Sequence, residues 1–349
     1  MNPLLSIIIP NYNHTHRLPT LLANIAGQKF QDFEIILVDD CSDEPLDDLV
    51  ETWQAKGLSL RLFRNAFRQY TKNTRLNGVE QARGDLITFL DADDLLVDDT
   101  TLGFHVVMLR ETKAELLQFQ VASYINDKID LKLFEWTKPL GEHLVGPQIF
   151  ERYVQENLRS HLVYGKIATR GLWQKCLEPA RASSVRRYQE DLLLCSLLFF
   201  HARNYVGSDK IGYTRTWQDK NEEKAIGRIA SLYAMLTEFL PYIERNGASQ
   251  DTATTVRASL LERLQNNAMI ASGNAMLDGR VLLAHCSPQL DTLLHEIEQH
   301  CSMEIFAKAL LAAFPILQIQ ELKMKNELLQ MEKLEVENKY FKRADGLME

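Results

Sequence analysis

The sequence predicts an α/β architecture, a mostly parallel sheet of Rossmann-like type with helices on both faces, followed by a helical C-terminal region. Three observations lead there. Strand and helix signals alternate through the first hundred residues, polar clusters recur at the ends of the strands, and from about Asn221 onward the apolar spacing is almost wholly helical.

The elements follow in order. Leu4–Ile9 is a short apolar run closed by Pro10 and the polar turn Asn11-Tyr12-Asn13. Leu18, Leu21, Leu22 and Ile25 repeat at helical spacing, with Gly27 as a stop. Phe33–Val38 is the second strand and ends in Asp39-Asp40-Cys41-Ser42-Asp43. Pro45 suits the first turn of a helix whose apolar face is Leu46, Leu49, Val50 and Trp53. Leu58, Leu60 and Leu62 alternate as in a half-buried strand. Leu76, Val79 and Ala82 form a helical stripe, Gly84 breaks it, and Leu86–Leu90 is a fourth strand.

Strands joined by amphipathic helices of this length give a parallel sheet, and in such sheets ligands lie at the carboxyl ends of the strands. Polar clusters sit there after Ile9, Val38 and Leu90. Beyond Gly103 the pattern is mixed: Leu116–Val121 reads as a strand, Ile149–Tyr153 and Asp191–Phe200 as helices, and Gly207–Trp217 as a loop or short strand. Helical stripes follow at Ile229, Leu232, Leu236, Phe239 and Leu240, at Val256, Leu260 and Leu264, and at Leu290, Leu293, Leu294 and Ile297. Segment 318–349 is charge-rich, with Met324, Met331, Leu334 and Phe341 at heptad-like intervals. Glu327 and Asn338 interrupt it, so a coiled coil is only weakly encoded. The expected domains are therefore 1–220, 221–317 and 318–349.

Bulk properties narrow the function classes. A net charge of −8 and a pI near 5.7 argue against a duplex nucleic-acid binder. The five cysteines are odd in number and never spaced as CxxC, which fits reduced thiols rather than disulfides or a zinc site. There is neither a signal-peptide pattern at the N-terminus nor an apolar run of the ~18 residues that a spanning helix needs, so a cytoplasmic protein is expected.

The densest chemistry lies in Gly84–Asp94, where an apolar strand delivers Asp91, Asp93 and Asp94 to its carboxyl end. Carboxylates this close repel, and a divalent cation offsets the repulsion. Two readings stand on these residues alone: a metal site, or Asp93 or Asp94 capping the next helix, which carries Leu102 and Val106. Asp39-Asp40 at the end of a different strand favours the first.

Ser6–Asn13, Val38–Asp43 and Gly84–Asp94, in this order and spacing, together with Arg75–Val79 and Gln81–Gly84, resemble the family 2 glycosyltransferases of the GT-A fold. The likeness covers about the first 100 residues and extends less closely to Trp217. It implies an inverting transferase that uses a nucleotide-sugar donor, a UDP-sugar above all, with Mn²⁺ or Mg²⁺. The acceptor would be a hydroxyl of a glycan or glycolipid in bacterial lipopolysaccharide or capsule synthesis, with peripheral association at the inner face of the membrane left open.

By position, the resemblance assigns Pro10 and Tyr12 to the nucleobase pocket and Asp40 to a base N–H. It places Asp91 at the ribose or metal shell, Asp93 at the metal, and Arg75 or Lys72 against the donor. In the acidic pair Glu190-Asp191 it makes Asp191 the base that takes the acceptor proton; on local sequence alone Asp191 equally suits the start of a helix. Tyr213-Thr214-Arg215 resembles the family's aromatic-arginine segment, with Arg215 toward the diphosphate. Trp217 and Gln218 stand where many relatives have a metal-binding histidine.

Two other classes stay open. A nucleotidyltransferase would need a glycine-rich basic phosphate loop, which residues 9–13 lack. A non-catalytic assembly subunit would rely on the C-terminal helices, which could also mediate homo-oligomers. His14 and His16 have no ligand partner at metal spacing, and Trp136 and Trp173 read as core.

Overall fold

The computed structural model describes residues 2–125, 128–130, 137–185, 188–216, 228 and 231–274. The expectations for Ile229, the stripe from Leu290 to Ile297, segment 318–349, Trp136, Trp217, Gln218, Cys286 and Cys301 concern residues outside these.

The N-terminal half forms as its apolar periodicity dictates. Strands β1 (Leu5–Asn11), β2 (Phe33–Asp39), β3 (Leu60–Arg64) and β4 (Leu86–Phe89) are parallel and ordered β3-β2-β1-β4. Helices α1 (Leu18–Ala26), α2 (Asp47–Ala55) and α3 (Tyr70–Gln81) make the crossovers. Both faces of β1 and β2 are covered, so their centres, Ile7–Ile9 and Ile35–Val38, are continuous apolar runs rather than alternating ones. Pro45 lies just ahead of α2, whose N-cap is Leu46, rather than in its first turn.

Chain order reverses between β1 and β4, because β2 and β3 stack to one side of β1 and β4 to the other. Such a reversal opens a crevice at the carboxyl ends of the strands. The register of β1 on β2 sets Pro10 beside Val38 and Asn11 beside Asp39, so two of the strand-end motifs are neighbours.

The second half completes the sheet in mixed sense. After the two-residue strand β5 (Leu95–Leu96) and α4 (Thr101–Glu111) come β6 (Leu116–Ile125), β7 (Lys128–Asp130), β8 (His143–Val145), α5 (Gln148–Gln155) and β9 (Lys166–Thr169). Then follow α6 (Arg170–Ala182), α7 (Glu190–His201) and β10 (Asn204–Thr216). Strand β9 inserts antiparallel between β4 and β6, and β10 pairs parallel with β6 and antiparallel with β5 and β8.

Residues 207–217 were expected to form a loop or short strand; instead β10 is thirteen residues long and bulged between Ser208 and Tyr213. The bulge explains the interrupted apolar pattern there. Trp173 is core, edge-on to Phe89 at 5.2 Å between ring centroids.

Described residues up to 216, with 231–260, form one compact unit; the described part of the other is Arg228 with residues 261–274. Leu232, Leu236, Phe239, Leu240, Val256 and Leu260 are buried in the first unit. A π-helical turn at Met235–Phe239 runs into the helix Leu240–Arg245, and Gln250–Asn274 is the last described helix.

Gly84 is needed for more than ending a helix. A Cβ there would lie 2.7 Å from the Ser6 backbone N and 2.8 Å from the Leu5 carbonyl carbon. The approach lets Gly84 N donate to Ser6 Oγ at 2.9 Å, while Ser6 Oγ donates to buried Glu34 at 2.8 Å. Gly84→Ala must therefore push β4 away from β1. We expect a loss of about 1–3 kcal/mol, the scale of an overpacked core, read from the midpoint of urea unfolding.

Candidate active site at the strand ends

Loop-to-loop hydrogen bonds tie the ends of β1 and β2 together before any ligand arrives. Asp39 accepts from Asn11 Nδ2 at 3.1 Å, from Ser42 N at 3.1 Å and from Ser42 Oγ. Asn13 and Asp43 pair reciprocally at 2.8 and 2.9 Å. Tyr12, between these anchors, presents its ring to the Arg68 guanidinium, 3.8 Å from the ring centroid. A planar cation thus already lies on the aromatic face assigned to a base. Pro10, at the end of β1, is partly buried.

Asp40 is 4% exposed and accepts from Asn65 Nδ2 at 2.8 Å, Gln69 N at 2.7 Å and Tyr70 N at 2.8 Å. A carboxylate has roughly four acceptor positions, so about one remains for a ligand N–H. Asp40 also pins the start of α3, where Tyr70 adopts φ +63°.

Arg75 on α3 is the hub. It is 2% exposed and reaches Asp91 at 2.8 Å with Nη2, and Asp191 at 2.5 Å and Glu190 at 3.7 Å with Nη1. One planar fork thereby joins a helix, the end of β4 and the start of α7. Burial opposes its charge, yet Asp191, Asp91 and Glu190 hold its pKa well above the ordinary value. In return, burial and the neighbouring Asp191 push Glu190 up to about 8, so it keeps its proton near neutrality. Burial also raises Asp191, against the pull of Arg75. Lys72, the other donor candidate, is buried, and its ammonium donates to the Ala180 and Ser183 carbonyls at 2.8 and 2.6 Å.

The helix-cap reading of the Asp triplet gives way. The N-cap of α4 is Thr100, β5 intervenes, and Asp98 accepts from Thr100 N at 2.8 Å. Asp94 is instead held by the Tyr213 hydroxyl at 2.6 Å, which also accepts from Asp91 N at 3.2 Å. Asp93 is partly buried between them in sequence, and Asp91 keeps a quarter of its side chain exposed.

Arg215, near the end of β10, lies close enough to Asp94, Asp91 and Asp191 for their charges to offset burial and raise its pKa. The structure thus brings Asp91, Arg75, Asp191 and Arg215 together, with Tyr12 and Asp40 along the same strand ends. Tyr213, Tyr164, Asn65 and Arg68 were not singled out from the sequence. Only Tyr213 stood inside a recognised segment.

Among the described residues no three His, Cys, Asp or Glu side chains converge to hold a cation by themselves. With Asp91 paired to Arg75 and Asp94 to Tyr213, the donor set fits a hard cation taken by one or two carboxylates and completed by phosphate oxygens. His14 and His16 stack on each other at 6.2 Å.

Residues 6–167 match the family described as Glycosyl transferase family 2. A Campylobacter jejuni GalNAc(5)-diNAcBac-PP-undecaprenol beta-1,3-glucosyltransferase is 35% identical over 96 residues, 27% of this chain and 31% of that protein. The Erwinia amylovora amylovoran biosynthesis glycosyltransferase AmsB is 26% identical over 218 residues, 60% of this chain and 64% of AmsB. The chain thus spans about a third of the first of these relatives and under two thirds of the second. The Staphylococcus aureus TarS structure (residues 1–349) superposes with a TM-score of 0.55 at 20% identity, covering 88% of this chain and 83% of that one. A Pyrobaculum calidifontis mannosyltransferase, PcManGT, solved with GDP-Man and Mn²⁺, superposes at 0.52 and 15% identity, covering 90% and 87%. These likenesses bear out the expected GT-A-type fold.

The raised pKa of Glu190 has a measurable sign. Its carboxyl binds a proton more readily folded than unfolded, so its contribution to stability is full below about pH 4.5 and is lost as pH rises toward about 8. Glu190→Gln removes that loss. We expect its melting temperature in metal-free buffer to exceed that of the wild type at pH 8, with the advantage shrinking toward pH 5.

Proposed function

We propose, from the premise that residues 6–167 make this chain a family 2 glycosyltransferase, that it is an inverting enzyme that moves a sugar from a nucleotide-diphosphate donor, a UDP-sugar, to a hydroxyl of a glycan or glycolipid acceptor. One observation carries this reading. The Arg75 fork holds Asp91, on the donor side, and Asp191, on the acceptor side, within one guanidinium span.

Each residue then has a task. Tyr12 supplies a flat face for the base once Arg68 yields it, and Asp40 has about one acceptor position left for a base N–H. Asp93, with Asp91 beside it, would hold Mn²⁺ or Mg²⁺ together with the donor's phosphates. When bound, that cation supplies positive charge for the leaving diphosphate.

Arg215 adds a second positive group on the same side. Asp191 accepts the proton of the acceptor hydroxyl as its oxygen attacks the anomeric carbon. Burial makes Asp191 a better base, and Arg75 fixes its orientation.

The names of the relatives bear on the acceptor. One acts on an undecaprenol-linked glycan and another in amylovoran synthesis, and a TarS structure is solved with UDP-GlcNAc. They support a bacterial surface polysaccharide as the product. Among the described residues no helix is long and apolar enough to cross a membrane.

Incubating the protein with a panel of UDP-sugars and Mn²⁺ should release UDP rather than pyrophosphate. Asp93→Ala should reduce turnover by at least ~100-fold, the scale of losing a main electrostatic group. Asp191→Asn should bind UDP as the wild type does while transferring sugar at least ~100-fold more slowly, as expected on losing a general base. Wild-type transfer by Asp191→Asn would place the base elsewhere.

A further inference from the structure

Tyr164 is 3% exposed, and its hydroxyl is buried with no hydrogen-bond partner among the described residues. Such a group is costly to keep where phenylalanine would fill nearly the same volume, and buried polar groups ordinarily find partners. Its position is firmly set. The ring stacks on Tyr213 with centroids 4.6 Å apart and planes 8° from parallel. Tyr213 is the residue whose hydroxyl holds Asp94 and the Asp91 backbone.

The next residue, Gly165, has φ +71°, and a Cβ there would meet Val121 Cγ2 at 2.6 Å. Gly165 O also accepts from Phe119 N at 2.9 Å. Side-chain stacking and the backbone turn therefore fix the phenol against the loop that carries the Asp triplet.

The surroundings identify what the hydroxyl serves. Its charged neighbours are Arg215, Asp191, Asp91 and Asp94, from the donor and acceptor sides alike. Burial, with the three carboxylates and against Arg215, keeps its pKa well above the ordinary value, so it stays a neutral phenol with an O–H to donate.

We propose that Tyr164 is a donor-binding residue, its hydroxyl donating a hydrogen bond to an oxygen on the glycosyl-diphosphate part of the bound nucleotide sugar. This rests on the transferase reading above. The oxygen belongs either to the diphosphate or to the sugar, and the two sources can be told apart. The competing explanation is a small void of about 10 Å³ lined by Tyr164, Gln118, Thr137 and Ser160, close to the least space that holds one water.

The test compares the full-length wild type with Tyr164→Phe in Mn²⁺. Calorimetric affinities for UDP and for UDP-GlcNAc, UDP-glucose and UDP-galactose are measured together with sugar release and melting temperature. The expected result is a melting temperature equal to or above that of the wild type, with roughly tenfold weaker binding, the scale of one hydrogen bond to a charged group.

Equal losses for UDP and the bound UDP-sugar assign the hydroxyl to a diphosphate oxygen; a loss confined to the UDP-sugar assigns it to a sugar hydroxyl. Unchanged affinity and sugar release overturn the proposal and leave the hydroxyl to a buried water, whatever the melting temperature does. A wild type that binds none of these nucleotides overturns the UDP-sugar reading, and this inference with it.

Discussion

A guanidinium buried among acidic groups is the constraint on which this site depends. Arg75 cannot be left alone in a low-dielectric interior, and neither can Asp91 or Asp191; each makes the burial of the others tolerable. Glu190 adds to the cluster without adding a full charge, because its raised pKa keeps it protonated near neutrality. The arrangement couples three segments far apart in sequence. Helix α3 follows β3, Asp91 follows β4, and the acidic pair opens α7. The distance between the Asp91 and Asp191 carboxylates is therefore set by a rigid planar group rather than by flexible loops.

Part of the backbone strain lies on the rim of the same site. Of the seven described non-glycine residues with positive φ, four are Asn13, Cys41, Tyr70 and Gln189. Each adjoins a residue assigned a role: Tyr12, Asp40, the start of the Arg75 helix and the Glu190-Asp191 pair. Left-handed conformations cost a non-glycine residue roughly 1–2 kcal/mol. Here they coexist with dense hydrogen bonding, such as the three donors on Asp40 and the reciprocal Asn13–Asp43 pair. The packed sheet supplies the stability that holds these turns in place, and the turns aim the side chains.

Strand ends were legible in the sequence, and distant pairings were not. Ile7–Ile9, Ile35–Val38 and Leu86–Phe89 are apolar runs ending in polar clusters, so both the parallel half of the sheet and the position of its crevice could be read locally. The short strand β9 could not, since its partners β4 and β6 lie on either side by tertiary packing alone. Strand β10 was obscured by its bulge and by Gly207 and Gly212, where a Cβ would strike the Gly141 carbonyl at 2.1 Å and the Phe119 ring at 2.7 Å.

Arg75 carries the same lesson at the site. The resemblance set it against the donor, but nothing near it in sequence announces Asp191, 116 residues away. Tyr164 gave no signal at all, because an unpaired hydroxyl is a property of the folded neighbourhood. A family segment can mark which residues matter, while the contacts between segments determine what each one does.

In the proposed reading the three strand-end motifs form one donor site, with the metal-binding carboxylate beside the Arg75 bridge. A crystal structure with UDP and Mn²⁺, with manganese located by its anomalous scattering, tests this most directly. The expected result is a manganese peak within bonding distance of an Asp93 oxygen and the diphosphate, uracil against Tyr12 and Asp40, and Arg75 still joining Asp91 to Asp191. Nucleotide or manganese bound away from these strand ends would contradict it.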